Sequence, residues 1–319
     1  MIRTKTVLAV LLSAAASAMA GVDPALLNLV MPDAQALMGV EVQQAQKSPF
    51  GQYMLSQAQS SNADFNKFVT ATGFDPRHDL TEVLAATPNN PTAAKGSLLV
   101  LGRGTFQPEK LNGAATLAGG TVSTYRGIMM VGSSKDGNQG AMAFLDSTTV
   151  VVGDPTSVKG VIDRKLGNAT FTGTLAQKAQ ELSASNSAWF VTGGPTQFLG
   201  GALPGGGGQQ GVATLLQAIL QISGGIQLGS NSVTLATEAV TRSEQDAQSI
   251  VNVVKFLVGM IQQNSDPRVQ QGAAIAQTAQ VTSQGATVRI SLSVPEQQLE
   301  QWIQTQSGNT KKTASLTRH

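Results

Sequence analysis

The chain has 319 residues, of which 41% are hydrophobic and 13% charged, with a net charge of +2 and no cysteine. This composition excludes intrinsic disorder, which needs few large apolar groups and a high charge per residue. The missing thiols exclude disulfides, thiolate metal sites and cysteine nucleophiles.

In chain order, the first element is a secretion signal over residues 1–20. Arg3 and Lys5 form a positive start, Val7 to Leu12 a short apolar run, and Ala18-Met19-Ala20 a small-x-small cleavage site. Ala16-Ser17-Ala18 is a second possible site. The spacing predicts cleavage after Ala20 and export to the periplasm or the cell exterior. The apolar run falls well short of the ~20 residues that span a bilayer, and without cysteine no lipid anchor can form at the new N-terminus. Residues 306–319 are polar and lack periodicity, which predicts a disordered tail carrying Lys311, Lys312 and Arg318. Removing both ends takes five of the 21 basic residues and leaves 16 against 19 acidic ones, about −3. The basic pI therefore comes from the ends, and the dense basic patch that nucleic acid requires is missing.

Between these ends, Pro49, Pro108, Pro155, Pro195 and Pro295 each stand between an apolar run and a helix-period segment. Proline suits the first turn of a helix, where its missing N–H would be unbonded anyway. A helix with Phe65, Phe68 and Val69 ends at Gly73, followed by a turn at Asp75-Pro76. Hairpins are predicted at Arg126-Gly127, at Asp146-Ser147 and at Gln284-Gly285. Around Pro155 the unit is clearest: a Thr149–Val152 strand, a turn at Gly153, an Asp154 cap, and a helix burying Val158, Val161, Ile162 and Leu166. A helix with Leu175, Ala179 and Leu182 opens the second half, and another is predicted over 212–222. Ser232 to Val240 alternates as a strand. Thr241-Arg242-Ser243-Glu244 caps a long helix whose Ile250–Ile261 segment is predicted to be buried around most of its circumference. Val288 to Leu292 reads as a strand, Ser293 to Glu296 as a capping box, with Leu299, Trp302 and Ile303 on one helical face.

Hairpin-joined strands interrupted by helices on one side predict an α+β fold with largely antiparallel strands. At about 150 residues per domain the length suggests two units. The division falls near residue 170, giving similar halves over 21–170 and 171–305, each with helices packed on its sheet.

The strand Ala143-Phe144-Leu145, the run Val150-Val151-Val152-Gly153-Asp154 with its capped helix, and the turn Gly73-Phe74-Asp75-Pro76-Arg77-His78-Asp79-Leu80 together resemble a family of exported bacterial α+β proteins. That family has no established activity, so the resemblance implies architecture and leaves function to the residues.

Catalytic chemistry is sparsely provided. The two histidines are His78, in a polar turn, and His319, the last residue. No G-x-S-x-G elbow, S-x-x-K pair or calcium loop occurs, and two histidines do not make an ordinary zinc site. Gly102-Arg103-Gly104 lacks the third glycine of a dinucleotide fingerprint and reads as a tight turn. Gly205 to Gly208 reads as a flexible loop. No cofactor is expected. Paired carboxylates remain the one acid–base option.

Residues 182–237 contain no Asp, Glu, Lys or Arg. Interface centres are depleted of charge because desolvating an unpaired charge is costly. A core helix with a Gln, Ser and Thr outer face would look the same. As an interaction surface, the candidates are Phe198, Leu203, Gln209, Leu215 and Gln217, contacting a protein partner or a second copy of the chain. The leading expectation is an exported, non-enzymatic protein that acts by binding or assembly. The alternative is an exported hydrolase with a carboxylate site, which a pocket with two converging acidic side chains would favour.

Overall fold

The computed structural model describes residues 21–60, 63–88, 98–135, 138–194, 217–263, 275, 277–301 and 303. Residues 1–20 and 306–319, Pro195, the 205–208 loop, Trp302, and the candidates Phe198, Leu203, Gln209 and Leu215 lie outside them.

Twelve strands form one antiparallel sheet: β1 (Ala34–Glu41), β2 (Leu80–Pro88), β3 (Leu99–Gly104), β4 (Thr121–Tyr125), β5 (Ile128–Lys135), β6 (Asn138–Asp146), β7 (Thr149–Gly153), β8 (Ala188–Thr192), β9 (Ile219–Leu228), β10 (Ser232–Thr241), β11 (Gln280–Gln284) and β12 (Thr287–Pro295). Their order is β11-β12-β10-β9-β8-β1-β2-β3-β7-β6-β5-β4. The fold is α+β. Moving outward from the β1–β8 junction, each direction meets a three-strand meander and then a later strand returning beside its third member, β7 beside β3 and β12 beside β10.

The helices are α1 (Pro24–Leu27), α2 (Val42–Lys47), α3 (Pro49–Ser60), α4 (Ala63–Thr72), α5 (Pro76–Asp79), α6 (Pro108–Leu117), α7 (Pro155–Leu166), α8 (Thr174–Ser185) and α9 (Glu244–Gln263), with residues 296–301 helical after β12. They lie on both faces of the sheet, not on one side. The period-2 geometry of strands sorts the contacts. Leu37, Leu84, Leu101, Val151, Trp189 and Val191 share one face and pack with Leu26 and Leu27 of α1, Val158, Val161 and Ile162 of α7, and Ala176 and Ala179 of α8. Phe144 and Val150 point the other way and meet Phe106, which precedes α6, and Leu111 within it. Ala239, Val288 and Ile290 likewise meet Ala247, Ile250 and Val251 of α9.

Local chemistry explains several boundaries. The Asp154 carboxylate accepts from the Thr156 and Ser157 amides and starts α7 at Pro155. Leu166, expected on the buried stripe, is half exposed, because α7 is in its last turn there. Arg126 and Gly127 both take positive φ in the β4–β5 hairpin, as a primed two-residue turn requires. Gly73 at φ +68 closes α4 with its amide on Val69 O. At the junction, Trp189 lies flat over Gly39, its cross-strand partner, occupying the space a Cβ would need.

Four expected boundaries move. Gly102-Arg103-Gly104 is part of β3 rather than a turn: Gly102 makes room for Val150 and Gly104 for the Asp79 backbone. The last residues of the helix expected over 212–222 are strand instead: Ile219 opens β9 and pairs with Thr241. Ser293 to Pro295 stay in β12. The cap of α9 is Ser243, whose hydroxyl accepts from the Asp246 amide and donates to its carboxylate, two residues beyond the expected start.

Candidate functional site

Register creates a polar row beside the apolar patch of Leu37, Leu84, Leu101 and Val151 on one sheet face. Glu41 of β1 stands opposite Glu82 of β2, Glu82 opposite Arg103 of β3, and Arg103 opposite Thr149 of β7. Directly opposed residues share a face with Cβ atoms about 5 Å apart, so all four side chains rise together. The Arg103 guanidinium donates to Thr149 Oγ1 at 2.9 Å and pairs with the Asp23 carboxylate at 2.5 Å. Asp23 caps α1 by accepting from the Ala25 amide, while its own amide donates to Glu82 Oε2 at 3.2 Å. The N-terminal segment is thereby laid over the row. Gly21, Asp23, Glu41, Glu82, Arg103 and Gln180 line the resulting pocket.

Burial pushes the Glu41 carboxyl up to about 7, and the Glu82 charge adds to the effect. Burial likewise pushes Glu82 up to about 7, against the Asp23 amide hydrogen bond; the Asp23 charge adds and Arg103 opposes. Neither Glu41 Oε1 nor Glu82 Oε1 has a hydrogen-bond partner among the described residues. Two such carboxyls can share a proton, exchange one with a bound group, or hold a cation. Among the described residues no trio of His, Cys, Asp or Glu is arranged to hold a metal ion.

The second candidate region is α9. Ala247 and Val251 are buried against the sheet, but Phe256, Leu257 and Met260 are 66%, 42% and 53% exposed. With the half-buried Val253 they stand at i, i+3, i+4 and i+7, which makes one stripe. The expected near-complete burial is thus corrected: the helix has two apolar faces, and the sheet covers one. Among the described residues no helix is long and apolar enough to cross a membrane.

His78 is exposed on the short helix α5, beside the Asp75–Arg77 pair. Gln217 is exposed just before β9. The described parts of the uncharged segment include β8 and β9, with Trp189, Val191, Ile222 and Ser223 buried in the sheet, so much of the missing charge belongs to core strands. Neither carboxylate of the row nor Arg103 was nominated by sequence reading. The one available signal was Arg103 between two glycines directly after an apolar run, a strand continuing where backbones approach closely.

Fold and site define an α+β protein built on one twelve-stranded antiparallel sheet, with an acid-rich pocket under its first helix. In three dimensions the chain is similar to crystal form III of TP0453, at a TM-score of 0.58 and 12% identity over 89% of this chain and 98% of that one. Crystal form I of TP0453 gives 0.53 and 13% over 90% and 98%, and form IV 0.54 and 12% over 88% and 96%. No family model and no curated protein matches the sequence. At these identities the likeness concerns the fold alone.

Proposed function

We propose that the protein is exported after cleavage behind Ala20 and acts outside the cytoplasm by binding or assembly, without catalysis. The outward stripe Val253, Phe256, Leu257 and Met260 is the observation that supports this reading. Contiguous exposed apolar surface is costly in water and marks docking sites. At about 25 cal/mol per Å², covering three half-exposed side chains contributes roughly 3 kcal/mol. That is enough for the centre of an interface, with the rest supplied by its surroundings. Gln217 and the outward-facing side chains of the uncharged segment, residues 182–237, are assigned to the same role.

Sedimentation of the purified protein, alone and with envelope extract, tests this. Phe256→Lys with Met260→Lys should abolish association while leaving the melting curve unchanged. Equal association by wild type and variant would refute the docking role of α9, and Gln217→Glu tests the uncharged segment in the same assay. N-terminal sequencing of native protein tests export: Gly21 is expected, and an intact Met1 would overturn it.

The Glu41–Glu82 pair favours a second reading, an exported hydrolase with a carboxylate site. A hydrolytic activity lost on both Glu41→Gln and Glu82→Gln, with folding preserved, would establish it over the first.

A further inference from the structure

The pocket under α1 holds more acidic groups than basic ones. Asp23, Glu41 and Glu82 meet a single guanidinium there, Arg103, which is held by Asp23. Glu82, 6% exposed, and Glu41 both line the pocket, and the buried Oε1 of each has no hydrogen-bond partner among the described residues. The element that closes the pocket from above is the last turn of α8, which presents the uncharged Gln180, Ser183 and Ala184. The charged residues of that helix are engaged elsewhere, Lys178 with both Glu181 and Glu238.

Gly21 sits at this point. The next amide, Val22, donates to the buried Ser183 Oγ at 2.7 Å. A Cβ on Gly21 would come within 2.6 Å of that oxygen and 3.2 Å of Gln180 O, so the chain fits closely against α8. The C-terminal end of a helix carries partial negative charge, which favours a cation beside it.

We propose that this pocket is the seat of the α-ammonium group of Gly21 itself, released when the chain is cut behind Ala20, with Glu41 and Glu82 as its counter-charges. This rests on the export reading, because an uncut chain has an amide at that position. The ligand of the acidic pair is then the mature N-terminus, and removal of the signal completes the fold electrostatically. A buried ammonium lowers the proton affinity of carboxyls beside it, and they raise its own. A carboxyl whose folded-state value stands above its unfolded one keeps its proton on folding, so stability falls as pH rises from about 4.5 through 7. Supplying the cation removes that fall.

The test uses chains made with defined N-termini, two of them at Gly21, so it does not depend on how the native protein is processed. One has a free amine, one is N-acetylated, and a third begins at Met19 and keeps Ala20. The α-amine is followed by NMR titration, and thermal unfolding is measured from pH 5 to 8. In the free-amine chain the amine should titrate at least one unit above the usual 7.7–8.0 of an α-amino group. Its melting temperature should hold steady while those of the other two fall with rising pH. Glu41→Gln should return the amine toward its usual value in a protein that still folds. An ordinary α-amine value with superimposable pH profiles for free and acetylated chains would overturn the inference. An intact Met1 on native protein is a separate result: it ends the export reading, and the inference with it, whatever the pocket does to an amine.

Discussion

At the β1–β8 junction, Gly39→Ala, Trp189→Ala and the double variant form a cycle whose outcome the structure dictates. Trp189 is almost wholly buried, and a tryptophan covers roughly 150–250 Å², so the area term is about 4–6 kcal/mol as an upper bound. Removing the indole should cost about 3–5 kcal/mol, in the usual range for large aromatic truncations. Gly39→Ala should cost about 1–3 kcal/mol through overpacking, because the new methyl meets Cε2, Nε1 and Cζ2 of the indole at once. In the Trp189→Ala background that methyl has space and part of a cavity to fill. The double variant should therefore be more stable than the sum of the singles by about 1–2 kcal/mol. Urea unfolding followed by circular dichroism gives all three values. Additivity within about 0.5 kcal/mol, the behaviour of independent sites, would refute direct packing of the indole on Gly39.

Asp154→Ala removes two capping hydrogen bonds at the start of α7 and should cost about 1 kcal/mol in urea unfolding, with Asp154→Asn recovering most of it. Burial alone would raise the Asp146 carboxyl, but the Thr148 hydroxyl and amide, with Lys165, hold it at about 2. Its contribution to stability is therefore complete above the ordinary value of 3.8 and is lost as pH falls through 2; Asp146→Asn should flatten an acid-unfolding curve in that window. His78→Ala should leave stability within about 0.5 kcal/mol in the same assay, since the side chain is exposed on a one-turn helix.

The features legible in the sequence are those written in consecutive residues. Asp154-Pro155 with Val158, Val161 and Ile162 defines a capped helix without outside help, and it forms as read. Arg126-Gly127 fixes a hairpin, the one read at Gln284-Gly285 forms one residue on at Gly285-Ala286, and hairpins imply antiparallel pairing, so the fold class follows. The polar row could not be read that way. Glu41, Glu82, Arg103 and Thr149 are distant in sequence and meet only through register, while the glycines around Arg103 imitate a turn although they are relieving crowding within a strand. Periodicity along α9 shows apolar residues all round the helix but not how many faces find cover. Ile219 and Leu220 fit a helical stripe and a strand equally well, and pairing with β10 decides between them.

The central position of β1 has a consequence for how the chain can be made. One side of β1 pairs with β2, which ends at Pro88, but the other waits for β8, through the partners Ala36–Thr192 to Val40–Ala188. A ribosome must therefore add about 150 residues after β1, and about 100 after β2, before that edge is closed. Were the first half to fold as it emerged, it would present an open strand edge of apolar residues in mid-sheet, the kind of edge that recruits other chains. Safe assembly requires that docking of the two ends wait until synthesis is nearly complete. Export of the unfolded chain across a membrane, as proposed above, would meet that requirement by the order of events.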